Sequence, residues 1–166
     1  FSAVTDPVAA KLVETLETPG ANITGTTDKQ PFEPTLELIR TLVPEASTLG
    51  VIYNAGEANS VAQVEALAEV VGTFGFELVE ATAAQTAMVP DAALSLAGRV
   101  DAILIPTDST IVSAIESVVN VGTKAKIPVI ASDTDSVERG ALAALGFDYY
   151  KLGWLTGEIA LRILEG

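Results

Sequence analysis

Three short polar clusters carry the side chains best suited to chemistry. Asp133-Thr-Asp135 sets two carboxylates one residue apart. Such a pair can hold Mg²⁺ or Ca²⁺, but those ions usually take further oxygen ligands, and no lysine or phosphate-cradling glycine loop accompanies the pair here. Contact with a ligand, or capping of the turn before Val137, are its other readings; no metal is expected. Thr107-Asp-Ser109 offers Asp108 as an acceptor for a ligand ammonium and Thr107 as a neutral partner. The structural alternative is that Asp108 or Ser109 caps a helix beginning near Thr110. Asn59 and Ser60 open a helix whose free backbone N–H groups suit a carboxylate, unless Ser60 is only an N-cap. Tyr53 stands at the margin of this set, because its ring could equally pack against the sheet.

What is missing narrows the chemistry. The chain has no histidine and no cysteine. The commonest general base, the commonest transition-metal ligand, disulfides and thiolate metal sites all go with them. A Ser-His-Asp or Cys-His nucleophile cannot be assembled, which leaves Asp108 and Asp133 as the acid and base of a small α/β enzyme as the catalytic alternative. No P-loop or G-x-G-x-x-G sequence is present, and no cofactor is implied. The net charge of −13 disfavours nucleic acid and anionic lipid as partners. With 49% hydrophobic residues and a mean hydropathy of +0.42, disorder is not expected. No apolar run reaches the roughly 18 residues of a membrane span, and the opening Phe1-Ser-Ala-Val shows no signal-peptide pattern.

These clusters follow apolar, often β-branched runs at regular intervals, which predicts an α/β domain with a mainly parallel sheet. Strands are expected at Leu49–Asn54, Phe76–Thr82, Val100–Pro106, Ile127–Ser132 and Ala141–Phe147. Helices are expected at Glu33–Val43, from Asn59 or Ser60 with Val61, Val64, Ala68 and Val71 on one face, at Met88–Ala97, and from Thr110 with Ile111, Ile115, Val118 and Val119 as a stripe. Gly72 and Gly75 should close the second of these. Thr5-Asp-Pro7 reads as the start of a helix over Thr5–Leu16 with Asp6 as N-cap, Asn22–Gly25 as a short strand at best, and Tyr149–Leu164 as a last helix with more apolar surface than one domain needs. In the flavodoxin-like order 2-1-3-4-5 the switch point lies between strands one and three. Asn54–Ser60 then faces Thr107–Ser109, with Asp133–Asp135 beside them. A response-regulator receiver is excluded, since Tyr53-Asn54 and Gly146-Phe147 stand where it needs acids and a lysine.

The block Ala131-Ser-Asp-Thr-Asp-Ser-Val-Glu-Arg-Gly-Ala-Leu-Ala-Ala-Leu-Gly-Phe-Asp-Tyr-Tyr150 resembles the ABC-transporter substrate-binding proteins that include tryptophan- and tyrosine-type receptors. Val4–Ala9, Gly50–Asn54, Glu57–Val61 and Ile105–Asp108 match as well. The resemblance implies a Rossmann-like type I periplasmic binding protein whose two lobes close on a ligand. It implies that residues 1–27 are a remnant of the N-terminal lobe and crossover, that 28–147 form the complete C-terminal lobe, and that 148–166 return as a helix to the first. It further implies no enzymatic activity, an extracytoplasmic location (periplasmic or lipid-anchored), ABC permease subunits as partners, and an amino-acid ligand of aromatic type. Another small polar solute, such as a sugar or nucleoside, is the alternative. Self-association of the chain is a further expectation, from its orphan apolar faces.

Overall fold

The computed structural model describes residues 1–20, 22–29 and 31–166. The chain forms two compact units, Phe1–Gln30 with Phe147–Gly166, and Pro31–Gly146.

Among the described residues the larger unit holds β1 (Thr48–Tyr53), β2 (Glu77–Thr82), β3 (Ala102–Ile105), β4 (Val129–Ala131) and β5 (Ala143–Ala144). They form one sheet in the order β2-β1-β3-β4-β5, the flavodoxin-like order expected above. Every pairing is parallel. β3, β4 and β5 are shorter than the apolar runs that mark them. Val100, Ile127 and Ala141 lie outside the ladders yet stay buried, because the runs continue into connections that still contribute to the core.

The helices of this unit are α1 (Glu33–Leu42), α2 (Ala58–Val71), α3 (Val89–Leu96), α4 (Ser109–Ser113), α5 (Ile115–Ala125) and α6 (Asp135–Glu138). On one face of the sheet Leu49, Val51, Leu104 and Ile130 pack with Leu36 and Ile39 of α1 and Val64, Leu67 and Val71 of α2. On the other, Ile52, Ile103 and Ile105 pack with Val89 and Leu96 of α3 and with Ile111, Ile115 and Val118. A parallel sheet covered on both sides needs strands that are apolar in every position, and all four residues of β3 are fully buried.

Local chemistry changes several expected boundaries. The helix after β1 starts at Ala58, before Asn59 and Ser60, with Glu57 extended at the cap position (φ −95°, ψ 113°). Its buried face runs through Ser60, Val64, Leu67 and Val71, while Ala68 faces outward. Gly72 keeps right-handed geometry, and the left-handed stop falls at Gly75 (φ 75°). The helix expected from Thr110 is two: Ala114 (φ −119°, ψ 23°) breaks it without removing Ile111, Ile115 or Val118 from the core.

In the smaller unit, α7 (Tyr149–Glu165) begins at Asp148, whose Oδ1 accepts the Lys151 N–H at 3.0 Å. Val13 and Leu152 are buried. Trp154, Leu161, Ile163 and Leu164 are exposed, so the surplus apolar surface read in the sequence is present. The Thr5–Leu16 helix is not formed. Asp6 does cap, accepting Val8 N–H at 3.1 Å and Ala9 N–H at 2.9 Å, but only turns follow, and Lys11 sits at φ 58°, where a helix cannot continue. Thr26 N–H and Phe1 carbonyl, with Val4 N–H and Thr26 carbonyl, join the two nearby segments without a regular strand at Asn22–Gly25.

Candidate ligand site

The carboxyl ends of β1 and β3 meet through a set of side chains that bond to backbone. Asn54 follows β1. Its N–H donates to Asp108 Oδ2 at 2.6 Å, its Nδ2 donates to Thr110 Oγ1 at 2.9 Å, and its Oδ1 accepts Gly56 N–H at 2.9 Å. Asp108 Oδ1 accepts Ile111 N–H at 2.8 Å and so caps α4. The capping alternative for Asp108 is therefore realised, and a tie to β1 is added to it.

Glu57 reaches across the same gap. Oε2 accepts Ser109 N–H at 3.1 Å, and Oε1 accepts Thr110 N–H at 3.1 Å and Thr110 Oγ1–H at 2.7 Å. Burial opposes its charge. Hydrogen bonds from the Thr110 hydroxyl, the Ser109 and Thr110 amides and Asn54 outweigh that opposition and hold its carboxyl below the ordinary value.

Gln63 completes the frame. Its Oε1 accepts Thr107 N–H at 3.0 Å, and its Nε2 donates to the Thr107 carbonyl at 3.1 Å and the Asn59 carbonyl at 3.2 Å. Asn59 Nδ2 also donates to the Thr107 carbonyl, at 2.9 Å. The backbone of Thr107 is thereby fixed from α2, as a precise polar site requires.

The structure brings Asn59, Thr107 and Asp108 together around this frame. Ser60 is fully buried within the first turn of α2, and its hydroxyl has no partner. The simple N-cap reading of Ser60 is overturned, because α2 begins before it. Asp133 forms its own cap after β4, accepting Ser136 N–H at 3.0 Å and Ser136 Oγ–H at 2.6 Å. Asp135 is exposed as the first residue of α6. Tyr53 turns to β2: its hydroxyl donates to Glu80 Oε2 at 2.8 Å, and that bond leads the causes raising the phenol's pKa.

Asn54, Glu57 and Gln63 belong to the frame but were not among the sequence candidates. Gln63 did leave a signal, as a polar residue four positions after Asn59 beside the apolar positions of a helix. The β5 exit passes so close to the end of β4 that a Cβ on Gly146 would overlap the Ser132 carbonyl oxygen. Among the described residues no group of three or more acidic side chains converges as a metal site.

Comparison with known proteins gives this arrangement its context. Residues 1–166 match the family described as ABC transporter substrate binding protein. A tyrosine-binding protein of Clostridioides difficile is 47% identical over the whole chain, which covers 48% of that protein. A conserved domain protein of Vibrio cholerae is 47% identical, with a TM-score of 0.94 over 100% of this chain and 56% of its own. An ABC domain from Streptococcus pneumoniae, solved in complex with L-Trp, is 35% identical, with a TM-score of 0.92 over 99% of this chain and 56% of its own. The chain thus spans about half the length of the relatives it matches. It belongs to the ABC-transporter substrate-binding protein family.

Proposed function

We propose that this protein is the extracytoplasmic solute-binding component of an ABC importer and captures an aromatic amino acid, in the manner of tyrosine or tryptophan, in a cleft between two lobes. The observation that supports the ligand class is the pair of relatives at 47% and 35% identity whose own descriptions carry tyrosine and L-Trp. In this reading residues 28–147 are one lobe, while 1–27 and 148–166 belong to the other. Closure of the lobes around ligand is the state presented to permease subunits. Asn59 and Ser60 meet the ligand carboxylate; Thr107, Asp108, Asp133 and Asp135 meet its polar and ammonium groups, with Tyr53 at the margin. Asp108 and Asp133 act through lone pairs left over after their internal bonds. The protein binds its ligand stoichiometrically and does not turn it over.

Thermal-shift titration of the purified protein against the twenty amino acids, sugars and nucleosides tests this. Tyrosine or tryptophan should raise the melting temperature, with about 2.7 kcal/mol of stabilisation at a hundredfold excess over Kd. A response to a sugar or nucleoside with none to any amino acid refutes it. The exposed apolar side chains of α7 further support self-association of the isolated chain; a monomer by light scattering, with no binding of a dye for apolar surface, rules that out.

A further inference from the structure

Two short helices of the larger unit carry the candidate acids. α4 is capped by Asp108, and α6 follows the turn that Asp133 holds. So short a helix is marginal by itself, so whatever holds its far end decides how firmly the acid is placed. The near end of α4 is held by Asp108 and Glu57. Its far end is a break at Ala114. Ser117 N–H, which in an unbroken helix would reach the Ser113 carbonyl, donates instead to the Ala114 carbonyl at 2.9 Å.

Arg139 reaches that break from the end of α6. Its Nη1 donates to the Val112 carbonyl at 2.7 Å, and its Nη2 makes a longer contact with the Ser113 carbonyl at 3.4 Å. Nε and Nη2 also donate to the two carboxylate oxygens of Glu116, at 2.7 and 2.8 Å, in the first turn of α5. The guanidinium is thus bonded to both sides of Ala114. Its own backbone belongs to α6: Arg139 N–H donates to the Ser136 carbonyl at 3.2 Å, and Ser136 is the residue whose amide and hydroxyl Asp133 accepts. One line of contacts therefore runs from Asp108 along α4 to Arg139, and on through Ser136 to Asp133. All of it lies within the larger unit. A partly exposed ion pair contributes little to global stability. A planar fork bonded in several directions fixes geometry instead.

We propose that Arg139 is a positioning residue of the ligand site: it couples the turn of Asp108 to the turn of Asp133, so that the two carboxylates keep a fixed relative placement. The proposal rests on the amino-acid reading above, in which both acids meet the polar and ammonium groups of the ligand. It adds a residue that touches no ligand and acts through the two that do. Precise placement of such groups needs support of this kind behind them.

Amide hydrogen exchange and calorimetry on the same protein test this. In Arg139→Gln the Ile111 and Ser136 amides, the donors to Asp108 and Asp133, should both exchange several-fold faster, while Ile103 N–H in the sheet keeps its rate. Binding of L-tyrosine and L-tryptophan should weaken about 3- to 10-fold relative to 3-(4-hydroxyphenyl)propionate and indole-3-propionate, which lack the ammonium. A merely structural role weakens both kinds of ligand alike, so equal losses overturn the proposal, as does an unchanged rate at either amide. Arg139→Lys keeps the charge but not the fork, and should move both readouts in the same direction. If Arg139→Gln does not fold, Arg139→Lys decides by the same criteria. Wild-type protein that binds neither amino acid refutes the amino-acid reading alone; the two exchange rates then decide the coupling.

Discussion

Asp108 holds the backbone N–H of Asn54 at 2.6 Å, and this bond closes the gap between the ends of β1 and β3. The same carboxylate caps α4 through Ile111 N–H. Asp108→Ala leaves two buried donors unmet, so stability should fall by about 2–4 kcal/mol. Urea unfolding measures this. Ligand affinity should fall by roughly 1.5–3 kcal/mol in the protein that remains folded, and by a similar amount for Asp133→Ala. Unchanged affinity in a folded variant removes that residue from the site.

Glu57 links the start of α2 to the start of α4, and its carboxyl lies below the ordinary 4.5. The sign follows directly. A carboxylate with a lowered folded pKa contributes stability that is fully present above its unfolded pKa and is lost as pH falls through the folded one. Glu57→Gln should therefore lower stability at neutral pH and flatten the acid limb of the stability curve below pH 4.5. Denaturant midpoints taken between pH 6 and pH 3 check both effects.

Asp101 does a comparable job at the amino ends of β1 and β3. Its Oδ2 accepts Ser47 N–H at 2.8 Å, Thr48 N–H at 2.9 Å and Thr48 Oγ1–H at 2.8 Å. The Ser47 amide foremost, then the Thr48 hydroxyl and amide, bring its carboxyl down to about 2. Its contribution is present above 3.8 and disappears as pH falls through about 2. Asp101→Asn should cost about 1 kcal/mol at pH 7, a small figure because solvent screens the site. The difference between wild type and variant should shrink on acidification through that window.

Gly146 leaves no room for a methyl group against the Ser132 carbonyl. Gly146→Ala must displace backbone, either β5 or the turn carrying Asp133, at about 1–3 kcal/mol or more. Reduced stability together with weaker ligand binding is the expected result. A variant with wild-type melting would show that the two segments part without cost.

The parallel sheet was legible because the apolar runs are nearly continuous and alternate regularly with helices, and β3 is the clearest case; its order was supposed to be flavodoxin-like, and the observed order is the same. Asp108 was legible too, as a helix cap at the predicted switch point. Glu57 was not, since its partners Ser109 and Thr110 are more than 50 residues away and become neighbours only once β1 and β3 pair. The partner of the Tyr53 hydroxyl was not legible for a related reason. It pairs with Thr82, so Glu80 lies two residues back on the same face of β2 and takes the hydroxyl. The helix expected at Thr5–Leu16 had a sound cap in Asp6, but a cap fixes only a first turn, and the left-handed Lys11 ends it.

Gln63 gives Thr107 what a neighbouring strand would give it, an acceptor for its N–H and a donor for its carbonyl. A side-chain amide here stands in for a peptide group. Slow hydrolysis of that amide to an acid, a familiar lesion of ageing protein stocks, would replace the donor with an oxygen facing two carbonyls, those of Thr107 and Asn59. Old preparations would then lose ligand affinity while keeping their helical spectrum, a failure that resembles an inactive batch and would be traced by peptide mass mapping around residue 63.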